Sequence, residues 1–386
     1  MTLNSQQQEG LDIAVKRFTD GEPYTVIAGL PGTGKTYLAV KIVEALGFNR
    51  KDYEVATFTG KAASVLQQRG LPAKTLHKLL YKTVPIEGTD DFIHIPKNKG
   101  DINTKILIID EISMVPNNIL KQAAKHGIHI LALGDPNQLP PIGEDNGLLK
   151  NPHIFLTQIM RQAEGNSIIL FARKLLEIKR YNDKIEWRND DMVKVVQRAD
   201  VVDGMFGWAD QIICSRNETR RKLNQEVRKY YGFSGDFPQE GEKVIFTRND
   251  WKTMNAEKFP IVNGMTGEVL STEKGFGAPF PETNAIDFKS DFTNAPFKNL
   301  HYSTSEFLGG SRPEMGLPGK KRINSIDFGY VITAHKSQGS EYGNLLVFEE
   351  SLRSNIDLAI LFTAATRAKL KLVLVQNPQR SFIKVY

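Results

Sequence analysis

Between residues 1 and about 155 the chain alternates short apolar, β-branched runs with longer stretches of helical spacing. Tyr24 to Ala28, Glu54 to Thr59, Lys105 to Asp110 and His129 to Gly134 are apolar almost without interruption. That is the pattern of strands buried on both faces of a parallel sheet. Helical stretches such as Thr36 to Leu46 and Lys61 to Arg69 follow. Repeated strand-helix-strand order predicts an α/β fold, a doubly wound sheet with right-handed crossovers.

A second α/β segment begins near residue 156, with a helix over Ser167 to Ile178 and a strand at Gln211 to Ser215, and resumes near residue 328. Strands at Tyr330 to Thr333, Asn344 to Phe348 and Lys371 to Gln376 complete it around a helix from Leu358 to Arg367. Between them, residues 241–327 are rich in Gly, Pro, Asn and Phe and carry short β pieces such as Lys243 to Thr247 and Gly267 to Leu270, which predicts a small β-barrel inserted in the second domain. The expected division is therefore 1–155, 156–240 with 328–386, and 241–327. A shorter interruption at 81–104 separates two strands of the first domain and contains the alternating piece Asp91 to Ile95.

Composition narrows the class of protein. With 386 residues, 40% of them apolar and 24% charged, the chain is long enough for two folded α/β domains and unlike a disordered or fibrous one. The formal charge of +6 favours a polyanionic partner only if it gathers on one face. One cysteine, Cys214, excludes a disulfide framework and a cysteine-rich metal site. The polar N-terminus lacks a secretory pattern, and no window approaches the ~18 apolar residues of a membrane span. A cytoplasmic protein without a membrane partner is expected.

The chemistry begins at Gly29-Leu-Pro-Gly-Thr-Gly-Lys-Thr36, which fits G-x-x-x-x-G-K-[ST] with an apolar strand before it and a helix after it. Gly29, Pro31, Gly32, Thr33 and Gly34 shape a loop whose amides wrap the phosphates of ATP at a helix N-terminus. Lys35 reaches the β/γ oxygens and Thr36 ligates Mg2+. Ile106-Leu-Ile-Ile-Asp-Glu-Ile-Ser113 supplies a second carboxylate site: Asp110 for the magnesium shell, Glu111 to orient and deprotonate the attacking water. A water-activating glutamate favours hydrolysis over transfer to a substrate. A third strand ends in Ala132-Leu-Gly-Asp-Pro-Asn-Gln-Leu-Pro-Pro141, where Gln138 is placed to sense the γ-phosphate; the alternative is a Gly/Pro turn.

With these residues in order the sequence resembles the superfamily 1B DNA helicases of the RecD/Dda-like group along nearly its whole length. The resemblance implies two RecA-like P-loop domains, a small pin insertion in the first and an SH3-like β-barrel insertion in the second. Leu3-Asn-Ser-Gln-Gln7 matches the opening glutamine motif and implies Gln7 as the adenine contact. Thr57-Phe-Thr-Gly-Lys-Ala-Ala63 and Lys74-Thr-Leu-His77 look like strand-gripping motifs, which sets Thr59, Lys61 and His77 near DNA phosphates; a helix cap or core position is the alternative for His77. Leu156-Thr-Gln-Ile-Met-Arg-Gln162 and Phe362-Thr-Ala-Ala-Thr-Arg-Ala368 imply Arg161 and Arg367 as two arginines reaching the γ-phosphate from the second domain. Motif VI has Phe362 and Ala365 where the family often has Tyr and Val or Ile, a difference at packing positions.

Tyr330-Val-Ile-Thr-Ala-His-Lys-Ser-Gln-Gly-Ser-Glu341 is similar to motif V. It implies Thr333, His335, Lys336 and Ser337 on the strand backbone, Gln338 and Gly339 toward the nucleotide, and Glu341 as a link. Asn249, Asn263 and Gly264, at the entry to the small barrel, are either family positions or plain turn residues. Phe92 in the pin insertion is expected to meet the fork, or else to pack the hairpin onto the first domain.

The function this implies is ATP-dependent unwinding with 5′ to 3′ movement on single-stranded DNA. Single-stranded and fork DNA would be the partners, alongside single-strand-binding or replication and repair proteins. A translocase that strips proteins or remodels forks is the alternative. A P-loop switch or kinase is disfavoured because it has no use for the arginines of a second domain.

Overall fold

The computed structural model describes residues 2–85, 92–158, 165–178, 183–291, 293–314, 316–318, 322–350, 355–378 and 381–385. The first half opens with α1 (Ser5–Thr19), β1 (Tyr24–Gly29), α2 (Lys35–Ala45), β2 (Tyr53–Thr57), α3 (Gly60–Gln68), β3 (Ala73–Thr75) and α4 (Leu76–Leu80). It continues with β4 (Tyr81–Pro85), β5 (Phe92–Pro96), β6 (Ile106–Asp110), α5 (Asn117–Ala124), β7 (His129–Gly134) and β8 (Ile154–Leu156). Six of these strands form one sheet in the order β3-β2-β6-β7-β1-β8, and every pairing in it is parallel. Its two faces are covered by separate cores, one with Leu38, Ile42 and Leu66, the other with Leu76, Leu80 and Ile119. Burial on both sides is why the strands read as unbroken apolar runs. The last strand reaches Leu156, one residue past the expected boundary.

The second half carries α6 (Ser167–Leu175), β9 (Ile185–Trp187), β10 (Val193–Val196), α7 (Gly204–Trp208), β11 (Gln211–Cys214) and α8 (Asn217–Tyr230). After an intervening all-β stretch come β20 (Val331–Thr333), α10 (Ala334–Ser337), β21 (Tyr342–Phe348), α11 (Asn355–Ala365), β22 (Ala368–Val375) and β23 (Ile383–Val385). A second wholly parallel sheet results, ordered β10-β22-β21-β11-β20. Two RecA-like units are thus present, each built on a parallel sheet.

The intervening stretch holds β12 (Lys243–Phe246), β13 (Asp250–Met254), β14 (Pro260–Ile261), β15 (Thr266–Lys274), β16 (Thr283–Ser290), β17 (Phe297–Ser303), α9 (Thr304–Phe307), β18 (Ile323–Asn324) and β19 (Ile326–Phe328). Six strands pair in the order β18-β17-β16-β15-β12-β19 around one core that includes Phe246, Phe288 and Phe297. β18 and β19, at the two ends of this order, are separated only by Ser325, so one stretch of chain pairs with β17 at one end and with β12 at the other. In the first half, β4 and β5 form an antiparallel hairpin paired from Tyr81↔Pro96 to Pro85↔Phe92.

Candidate nucleotide site and nucleic-acid channel

The P-loop turns from β1 into α2. Gly34 caps α2 with φ +80°, a left-handed conformation that a side chain would resist. Thr33 folds its hydroxyl onto the Leu30 carbonyl at 2.8 Å, and Lys35 lays its ammonium on the carbonyls of Gly29 (2.7 Å) and Leu30 (3.1 Å). Gly29, Pro31 and Gly32 complete the loop.

The carboxylates expected at the end of β6 meet this loop. Thr36 donates its hydroxyl to Asp110 at 3.1 Å. Burial, with the Glu111 charge beside it, pushes Asp110 up to about 6. Glu111 itself has φ +56°, a strained backbone for a residue with a Cβ and a common mark of a functional position. Asp135, after β7, is buried with Oδ2 unpartnered, and burial also raises its carboxyl. The Thr36 hydroxyl and the Asp110 carboxylate, 3.1 Å apart, are hard oxygen donors that suit magnesium, which keeps several of its own waters. The pattern Gly134-Asp-Pro136 carried a signal for Asp135, but it reads as a turn until the strands are assembled.

Across the cleft, Arg367 is 5% exposed and held by Thr363, Ser340 and Thr366. Its Nη1 stands 3.9 Å from Glu111. Gln138, with its amide turned to suit both neighbours, donates to Glu111 Oε2 and accepts from Arg367 Nη2, each at 3.2 Å. Leu139 follows it into the core of the second half, its amide donating to Thr363 Oγ1 at 3.1 Å. Arg161 lies outside the described residues, as does the side chain of Phe92.

Gln7 is buried, with its amide donating to the Thr33 carbonyl at 3.0 Å and accepting from the Asn4 amide. It therefore braces the P-loop through Thr33. Gly339 lies against α3, where an added Cβ would come within 2.7 Å of Ala62, and Gln338 donates to Leu139 O at 3.3 Å. Both sit in the seam between the two halves, Gln338 on the carbonyl of the residue after Gln138.

A cavity of about 230 Å³ lies where the first half, the second half and the inserted sheet meet. Thr59 and His77 line it from one side, His335, Lys336 and Gln338 from another. Thr59 also caps α3. The insertion contributes Asn249, Trp251, Asn263 and Gly264, and Asn263 accepts a bond from Lys336 at 2.7 Å. Burial lowers His335 and Lys336, so both are less readily protonated than in water. Lys61 reaches the same cavity but is 4% exposed, with its ammonium on the Tyr342 hydroxyl at 2.9 Å and over that ring. Thr333 and Ser337 are buried, and Ser337 turns its hydroxyl onto Ala334 O. Thr333 ends β20 at the N-terminus of α10. Trp251 was missed as a channel residue, since a single aromatic in a short strand carries no local sign of a groove; Phe58 was missed although it lies within the motif Thr57 to Ala63.

Other proteins share this arrangement. A model of the AAA domain family matches residues 2–197, and one of the UvrD-like helicase C-terminal domain matches residues 328–375. The ATP-dependent RecD2 DNA helicase of Deinococcus radiodurans is 28% identical over 376 residues, which covers 90% of this chain. The chain spans 46% of that relative's length. Among solved structures, a Pif1 helicase studied in DNA unwinding at forked duplexes aligns with a TM-score of 0.56 at 20% identity, over 100% of this chain and 94% of its own. A Bacteroides Pif1 bound to single-stranded DNA gives 0.53 at 18% identity, over 100% and 94%. At those identities the likeness is one of fold. No helix among the described residues is long and apolar enough to cross a membrane.

Proposed function

Since the chain belongs to the superfamily 1B DNA helicases of the RecD/Dda-like group, we propose that it hydrolyses ATP to move 5′ to 3′ along single-stranded DNA and to open duplex ahead of it. One observation carries this reading. Gln338, on the channel wall, reaches the carbonyl of Leu139, whose neighbour Gln138 bridges Glu111 and Arg367. Strand grip and hydrolysis therefore share a two-residue connection, so a change at the γ-phosphate is felt in the channel.

In this proposal the P-loop amides and Lys35 hold the β- and γ-phosphates of ATP. Thr36 and Asp110 hold magnesium, which when bound neutralises charge on the phosphates. Glu111 takes a proton from the attacking water as the bond to the γ-phosphorus forms and the bond to the bridging oxygen breaks. Arg367 stabilises the transferring phosphoryl only when the cleft is closed, which ties turnover to domain movement. Arg161 is assigned the same task by resemblance. Thr59, His77, His335 and Lys336 grip the strand, Lys61 acts through Tyr342, and the β4–β5 hairpin with Phe92 parts the duplex. Fork DNA is the substrate and the cytoplasm the place of action.

The test is ATPase rate with and without single-stranded DNA, followed by unwinding of duplexes bearing 5′ or 3′ overhangs. Stimulated hydrolysis and unwinding from the 5′ overhang are expected. Stimulation without unwinding from either end, but with displacement of streptavidin from a biotinylated strand, would convert the reading to a translocase.

A further inference from the structure

The aromatic wall of the channel does not end at His77. Phe58 and His77 have ring centroids 5.7 Å apart. On the far side of His77, Tyr81 stacks at 5.7 Å with planes only 22° apart. Tyr81 is both the C-cap of α4 and the first residue of β4, so the row of rings passes from the channel onto the hairpin. There Tyr81 meets His94 edge-on at 6.5 Å and 76°.

The hairpin register separates two unlike faces. Val84 pairs with Ile93 and Lys82 with Ile95, which sets these four on one face; Val84, Ile93 and Ile95 are 40%, 51% and 45% exposed there. Tyr81 and His94 belong to the other face, the one continuous with the channel. Asp101 pairs with Lys82 at 2.8 Å, and that pairing draws its charge toward the aliphatic face. A phosphate backbone following the rings is not driven off by it. Burial and the nearby His94 hold His77 below the usual histidine range, so at neutral pH it offers a ring face more than a charge.

We propose that Tyr81 and His94 extend the strand site out of the channel, stacking the bases of a single DNA strand between the channel mouth and the body of the hairpin. The inference rests on the reading of the channel as a strand site. Rings in a row suit this task because every base has a π-face and stacking tolerates any sequence.

The full chain is tested with oligo-dT of two lengths, one filling only the channel and one extending several nucleotides beyond each end. Tyr81→Leu, which keeps apolar bulk but loses the ring, should weaken the longer oligonucleotide roughly five- to a hundred-fold and leave the shorter one unchanged. Tyr81→Phe should bind as wild type, as should Ile95→Thr on the opposite face. His94→Ala, at an exposed position, carries the same test should Tyr81→Leu disturb the hairpin. Single 5-iododeoxyuridine substitutions should photocrosslink to Tyr81 or His94 from positions next to those that crosslink inside the channel. Wild-type binding of the longer oligonucleotide by both variants, with no such crosslink, overturns the proposal. So does an equal loss for both lengths, which marks Tyr81 as a packing residue. Failure of both oligonucleotides to bind the wild-type chain would instead remove the channel reading itself.

Discussion

Nη1 of Arg367 stands 3.9 Å from Oε1 of Glu111, although Glu111 follows β6 of the first sheet and Arg367 precedes β22 of the second, on opposite sides of the cleft. An arginine so placed faces the charge that develops on a phosphoryl group in transfer and contributes little to ATP binding beforehand. Arg367→Ala is therefore expected to lower turnover by roughly three to five decades with ATP affinity changed only a few-fold. Arg367→Lys should recover little, because a lysine cannot reproduce the planar fork that spans Thr363, Ser340 and Gln138. Near-normal single-turnover hydrolysis in Arg367→Ala would remove the two-domain site.

Glu111→Gln separates binding from chemistry. The amide keeps the size of the side chain and loses only its capacity to take a proton. Binding of ATP and magnesium should persist while hydrolysis falls by two or more orders of magnitude, about the scale of a lost general base. Equilibrium binding of a fluorescent ATP analogue beside a phosphate-release assay decides it; lost binding would make Glu111 a structural residue.

Arg228 and Glu242 are buried to 1% and 0% exposure, joined at 2.7 Å, and Arg228 also lies 4.0 Å over the Phe328 ring. The pair ties α8 to the inserted sheet. Arg228→Ala leaves a carboxylate buried without its partner and should cost about 3–5 kcal/mol, seen as an early urea transition. Replacing both residues by methionine should recover most of that loss. A single variant as stable as wild type would show that water reaches Glu242.

Cys214 is buried in β11, and burial pushes its thiol up to about 12. Only the thiolate reacts, so the raised value leaves the folded protein inert at pH 8, whereas an unfolded chain with a thiol near ~8.5 reacts readily. Iodoacetamide labelling should be negligible in buffer and complete in urea, with a midpoint that reports unfolding of the second parallel sheet. Fast labelling in buffer would mean that β11 opens without global unfolding.

Much of the phosphate site was legible because its signals are local. Lys35, Thr36, Asp110 and Glu111 sit at fixed steps from apolar strand runs, and a strand buried on both faces announces itself by composition alone. The two parallel sheets, the loop between β1 and α2, and the carboxylates at the end of β6 are all written in such local patterns. Arg367 was reached through the resemblance to motif VI.

Tertiary structure decided where side-chain polar atoms go. Gln7 has the residue type that its motif requires, yet its amide closes on Thr33. Lys61 looks like a phosphate contact and lies on Tyr342, 281 residues away. Ser337 turns its hydroxyl back onto Ala334 of its own helix, while Trp251 and Asn263 arrive in the channel from a separate sheet. The physical reason is the same in each case. A buried polar group must find a partner, and which partner stands within 3 Å depends on how elements far apart in the chain are packed, a relation that spacing along the sequence does not contain.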